Sequence, residues 1–210
     1  MTDLPVKVSE VVESGGAPAT STGGFVDYIL RLRQTPAARS ALRRAGSGVT
    51  EYRSYGYLAP WWTDQPYLRP AYCAFAGLAA SVPGLAQDGN MPLGAMAAGL
   101  VRVGGMSENG VERKLLVAQT AGLPQLVSLL RPLLRAADRA GLRVDYQDLY
   151  WLLRTAEHPD RSKRTRSRQR LLESFYQALH PLEASTPTKA DSTPTSAPTA
   201  QPSSPTKEKT

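Results

Sequence analysis

Between positions 161 and 170 the sequence places Arg161, Lys163, Arg164, Arg166, Arg168 and Arg170, with no acid among them. Cations at this density are chemistry for phosphate, because backbone contact needs charges that no neighbouring carboxylate has neutralised. The formal net charge of the chain is +7, so this run alone accounts for nearly all of the excess. In an ordinary solvated helix each Arg would follow a Glu by four residues. Here Glu157 lies before Pro159, and Glu173 comes after the run. Nothing resembles a sequence reader such as a zinc finger or an RNP motif, so binding is expected at the backbone and indifferent to base sequence.

The residues that would carry catalysis are scarce, and no enzymatic activity, metal or cofactor is expected. His158 and His180 each stand just before a proline at the end of an apolar run. No Cys/His set has zinc-ligand spacing, and no glycine-rich loop ends in Lys-Ser or Lys-Thr. Asp145 and Asp148 lie one helical turn apart, but at a helix start carboxylates cap free backbone N–H groups. Two-metal nucleases need a larger acid cluster. Cys73 is the one cysteine; in Ala71-Tyr72-Cys73-Ala74-Phe75-Ala76 it reads as a small buried hydrophobe. A lone cysteine excludes an internal disulfide and fits a reducing cytoplasm.

The elements that must position these charges follow from periodicity. Residues 1–24 and 184–210 are rich in Ser, Thr, Pro, Gly and Ala and are expected to be disordered. Residues 25–183 are long enough for a core. Phe25, Val26, Ile29, Leu30 and Leu32 predict a first helix ending near Gln34. Thr35-Pro36 opens a second to about Ala45, which buries Ala38, Ala41 and Leu42 and presents Arg39, Arg43 and Arg44. Positions 49–65 interleave Tyr52, Tyr55, Tyr57, Trp61 and Trp62 with Gly56 and Pro60, and predict a loop with a short helix docking aromatics on the core. Bases could also stack on such a cluster.

Pro66 begins a long helix through Phe75 to Val82, and a weaker one covers Leu93 to Val103. Ser107 caps the next, which turns Arg113 and Lys114 outward. Pro124 restarts an amphipathic helix ended by Gly141, with Pro132 expected to kink it. Asp145 caps the last apolar helix before the basic run. If a helix starts near Asp160, then Arg161, Arg164, Arg168 and Leu171 share one side; a flexible basic loop is the other possibility. No segment alternates long enough to be a strand. The fold class is all-α, a bundle of about seven to nine helices. No apolar run reaches the ~18 residues of a membrane span, and no basic-then-apolar leader is visible, so no membrane partner is expected and the location is cytoplasmic.

The order of features resembles the CasB family, the small subunit of the type I-E CRISPR surveillance complex (Cascade). The similarity is carried by Ala41-Leu42-Arg43-Arg44, the helix with Phe75, Met91-Pro92-Leu93-Gly94-Ala95-Met96-Ala97, Gly110-Val111-Glu112-Arg113-Lys114-Leu115-Leu116, Leu126 to Arg131, and Val144-Asp145-Tyr146 with Leu149 and Phe175. Ala95 departs from the Arg common there. The resemblance implies a non-enzymatic helical subunit, present as two copies, among other Cascade subunits. It implies contact with the guide RNA, the target DNA and the displaced strand of the R-loop. Carried over by position, Arg43, Arg44, Arg113, Lys114 and Arg131 are the implied phosphate contacts. Charge alone adds Arg39 beside them, and Arg161, Lys163, Arg164, Arg166 and Arg168. The alternative is a stand-alone helical DNA-binding regulator, for which Thr35 to Ala45 is the only candidate reading helix.

Overall fold

The computed structural model describes residues 22–47, 49–63 and 65–181. The terminal segments therefore lie outside the described residues, except Thr22 to Gly24, which form the first turn of α1. The helices are α1 (Thr22–Leu32), α2 (Pro36–Leu42), α3 (Tyr55–Trp62), α4 (Arg69–Ser81), α5 (Leu93–Arg102), α6 (Glu108–Ala118), α7 (Leu123–Arg139), α8 (Tyr146–Thr155) and α9 (Arg161–Leu179). Short 3-10 turns at Glu51–Ser54 and Pro66–Leu68 precede α3 and α4.

Two departures from the sequence reading concern backbone pairing. The second helix stops at Leu42, so Arg43 and Arg44 sit in the turn that follows it. Two short strands, β1 (Ala86–Gln87) and β2 (Arg143–Val144), pair in parallel. Two residues cannot show an alternating pattern, which is why periodicity missed them. α7 runs through Pro132 as one helix. It ends where expected, with Gly141 at φ +65° and Leu142 N–H donating back to the Ala137 carbonyl at 3.0 Å, a left-handed stop that favours glycine.

α4 lies at the centre, with every residue from Ala71 to Ala80 buried. Small side chains along most of it let α1, α2, α7 and α8 close around it. Phe25, Tyr72, Phe75 and Tyr150 form an aromatic knot, with ring centroids 4.5 Å apart for Phe25–Tyr72 and 5.5 Å for Phe75–Tyr150. Trp61 joins edge-on at 5.1 Å from Phe25, and Trp62 packs against the same core. The tryptophans of the 49–65 stretch are thus packing anchors, whereas Tyr52 remains 60% exposed.

The tightest joint is between α5 and α9. A Cβ on Gly94 would lie 2.2 Å from the Leu171 carbonyl oxygen, 2.2 Å from Ser174 Oγ and 2.6 Å from the Phe175 nitrogen. Only a residue without a side chain lets the two backbones approach this closely. α8 holds the same joint from the side. Asp148 Oδ2 accepts the Leu93 N–H at 2.9 Å, and the Asp145 N–H donates to the Met91 carbonyl at 2.7 Å. Asp145 caps its own helix through Gln147 N–H at 2.9 Å, as expected. Asp148, by contrast, caps a neighbouring helix rather than its own, because Pro92 at the N-cap of α5 offers no side-chain acceptor.

Gly94→Ala is therefore expected to cost about 3 kcal/mol or more through overpacking, measured as a lowered urea midpoint. Gly56→Ala, where a Cβ meets nothing within 4 Å, should instead be neutral or stabilise by about 0.5 kcal/mol. Equal behaviour of the two variants would contradict this joint.

Candidate nucleic-acid interface

α7 is amphipathic: Leu126, Leu130, Leu133, Leu134 and Ala137 are buried, and the polar side carries Arg131, Arg135 and Arg139. Spaced by four residues, these arginines stand about 6 Å apart along the helix. With Arg43, Ser81, Ser128, Pro132 and Asp138 they line an open groove of about 540 Å³. Four guanidinium groups face one carboxylate, and none of the four forms an ion pair among the described residues. Arg131 is half-buried, and its Nε is buried without a hydrogen-bond partner. Arg139 Nε donates to the Arg135 carbonyl at 3.3 Å, which steadies it along the helix. Phosphate oxygens accept from such a fork in pairs.

Of the residues singled out in the sequence, only Arg43 and Arg131 meet in this groove. Arg39 is half-buried on α2, and Arg44 is exposed in the turn that follows that helix. Arg44 lies beside Tyr52, whose hydroxyl is held below the ordinary tyrosine range by its hydrogen bond with Arg53, by the Arg53 charge and by that of Arg44. Arg113 is exposed and Lys114 half-buried on α6; neither lines the groove. Arg135 and Arg139 were missed. Their signal is the repeat Arg131, Arg135, Arg139 on the polar side of a leucine-rich helix, a spacing legible without coordinates.

The basic run is helical: Asp160 caps α9 by accepting the Ser162 N–H at 2.8 Å, which also holds its carboxyl below the usual range. The side shared by Arg161, Arg164, Arg168 and Leu171 turns towards the protein beyond Arg161. Arg164 donates to the carbonyls of His158 and Pro159. Arg168 donates to the carbonyls of Gln119 at 2.7 Å, Ala121, and Ala156 at 3.3 Å. Gln119 and Ala156 are the C-caps of α6 and α8, so one guanidinium closes two helix ends whose carbonyls lack intrahelical donors. Arg168 is thus corrected from a phosphate contact to an internal clamp. Charge counting could not separate the two, because both need an arginine with no acid beside it. Arg161, Lys163 and Arg166 are exposed, and Arg170 makes a long 3.8 Å ion pair with Asp148.

A second internal clamp went unnoticed in the sequence. Arg33, 5% exposed, donates to the Val82 carbonyl at 3.2 Å, the Leu85 carbonyl at 2.8 Å and the Tyr146 hydroxyl. Its guanidinium lies 4.8 Å from the Tyr146 ring centre. Val82 is the C-cap of α4. The signal was its place, next in line after Val26 and Ile29 on the inner side of α1.

Cys73 is buried, and burial, reinforced by Glu51, pushes its thiol up to about 12. Among the described residues no group of three or more His, Cys, Asp or Glu could hold a metal ion. Among them also, no helix is long and apolar enough to cross a membrane.

These features together define a class: a helical scaffold with an arginine-lined groove on its longest amphipathic face. The family model of the CRISPR-associated protein Cse2 matches residues 38–176, and the chain belongs to that family. Cse2 is the CasB small subunit, so the resemblance drawn from the sequence is confirmed. A chain of a "CRISPR RNA-guided surveillance complex" is similar at TM-score 0.63 and 20% identity, covering 77% of this chain and 94% of that one. A chain of a structure described as a "CRISPR RNA-guided surveillance complex, pre-nicking" gives 0.62 at 20% identity, with 77% and 94% covered. A Cse2-family protein from Thermus thermophilus gives 0.59 at 20% identity, covering 75% and 98%. No curated protein matches the chain.

Arg168→Ala is expected to lower stability by about 2 kcal/mol, since carbonyls lose a charged donor. Arg166→Ala should stay within about 0.5 kcal/mol. Urea melts of the two variants check this, and similar small losses would remove the clamp. Cys73 should react slowly with thiol reagents at pH 8 until the protein is denatured. Because its folded pKa is raised, its contribution to stability is complete below about pH 9 and is lost between there and pH 12. A stability flat across that window would contradict the burial.

Proposed function

We propose that this chain is the non-catalytic small subunit of a type I-E CRISPR surveillance complex. In this reading it sits among the other subunits and the guide RNA, in two copies, and supports the displaced strand of the target DNA. The observation that carries the proposal is the arginine series on α7 facing Arg43, within a chain of the Cse2 family. Four cations in one groove, without base-reading Asn or Gln among its lining residues, suit backbone contact.

Physical need supports the same reading. Replacing a DNA duplex by an RNA–DNA hybrid is nearly balanced in free energy. A few phosphate contacts to the strand set free are then enough to tip the exchange, and counterion release makes them salt-dependent. The bundle meets the other requirement, which is rigidity: a groove whose walls are fixed before binding loses little on ordering. The stand-alone regulator is not favoured, since α2 has only seven residues and buries Ala38 and Leu42.

The test is co-expression of the full chain with the other subunits and guide RNA. Purification through a tagged partner should recover this chain. The double variant Arg131→Glu, Arg135→Glu should assemble equally well yet bind target DNA about tenfold more weakly, with a reduced salt dependence. Recovery of neither RNA nor partners would contradict the proposal, and so would target binding unaffected by the double variant.

A further inference from the structure

Five of the six cations of α9 divide by geometry. Arg164 and Arg168 turn inward onto backbone carbonyls, while Lys163, Arg166 and Arg170 stand at i, i+3 and i+7, one stripe on the opposite side. Lys163 and Arg166 are exposed and make no ion pair among the described residues. Arg170 keeps 69% side-chain exposure despite its distant Asp148 partner, a pair too long and too solvated to neutralise it. The nearby acids do not cancel the stripe. Asp160 is occupied with the Ser162 N–H, and Glu173 lies only at its far end.

This stripe is not a continuation of the groove. Arg168 ties α9 to Gln119 and Ala121, just before α7 begins at Leu123. Along α7, Arg131 lies about 12 Å from that start and Arg139 about 24 Å. No residue of α9 lines the groove, so the two basic faces lie on different helices and share no side chain. The stripe is also held firmly. Leu171 and Phe175 are buried, Gly94 sets the distance to α5, and Arg168 pins the exposed half of α9. A solvated charge run needs none of that fixing.

We infer that Lys163, Arg166 and Arg170 form a second binding face for a nucleic-acid strand, separate from the α7 groove, so that the chain holds nucleic acid at two fixed points. The inference rests on the proposed function for the class of ligand but on different residues. The stripe spans about 10 Å along α9, enough for successive phosphates of one strand. Rows of exposed cations bind such a backbone without reading its bases.

The experiment measures binding of a labelled mixed-sequence single-stranded oligonucleotide to the full chain over a fourfold range of salt. Four proteins are compared: wild type, Lys163→Gln with Arg166→Gln, Arg131→Gln with Arg135→Gln, and the combination of the two pairs. Loss of two single-strand phosphate contacts should reduce the slope of log affinity against log salt by about 1.4, a change of about sevenfold across that range. The stripe variant should show this loss with its urea midpoint unchanged, and combining it with the groove variant should add the two effects. A stripe variant with wild-type slope beside a weakened groove variant would overturn the second face and leave the proposed function standing. Wild-type slopes for both would overturn both. A stripe variant that binds the oligonucleotide normally but no longer joins the co-expressed complex would assign the stripe to an acidic protein surface and also overturn the inference.

Discussion

The close approach of α5 and α9 at Gly94 is the constraint on which the rest of this structure depends. α9 carries the densest charge of the chain and has only Leu171 and Phe175 fully buried, a thin apolar hold for nineteen residues. Backbone contact at Gly94 compensates by bringing α9 within reach of α5 along its apolar half. The same point receives the Asp148 carboxylate from α8 and the backbone N–H of Asp145, the N-cap of that helix, so three helices are fixed by one glycine, one carboxylate and one backbone hydrogen bond. Parallel pairing of β1 with β2 then sets where α8 begins, and Gln87 supports it by accepting the Tyr146 N–H at 2.7 Å. Overpacking at such a joint has no slack to absorb it, because interiors are close-packed.

Arginine serves two purposes here, and burial separates them. Arg33 and Arg168 face inward and close helix C-termini, each satisfying several carbonyls with one planar fork. That geometry is beyond lysine, whose ammonium is a single point of charge. Arg43, Arg131, Arg135 and Arg139 face a groove and meet no acid partner there beyond the single Asp138. A positive net charge therefore overstates the surface available to a polyanion. Part of it is internal scaffolding.

Much of the fold was legible in the sequence, because helices with buried leucine and alanine stripes announce their period. The all-α class, the Ser107 and Asp145 caps and the Gly141 stop rest on local chemistry that needs no partner. What was not legible depends on pairs of distant residues. Asp148 caps Leu93 across fifty-five positions, and Arg33 meets Tyr146 across one hundred and thirteen; no local window contains either. The groove is half visible in the sequence: the family resemblance points to Arg43 and Arg131, whereas Arg135 and Arg139 are signalled only by their four-residue spacing from Arg131. Arg168 misled because an arginine satisfied by backbone carbonyls leaves no complementary acid in the sequence to betray it.

The central claim is that a nucleic-acid strand runs through the groove between Arg43 and the arginine face of α7. The most direct measurement places a photoreactive side chain at Ser128, a lining residue of that groove, in the complex assembled on target DNA. Illumination should yield covalent adducts between this chain and the DNA. Adducts to partner protein alone, with none to DNA, would contradict the account.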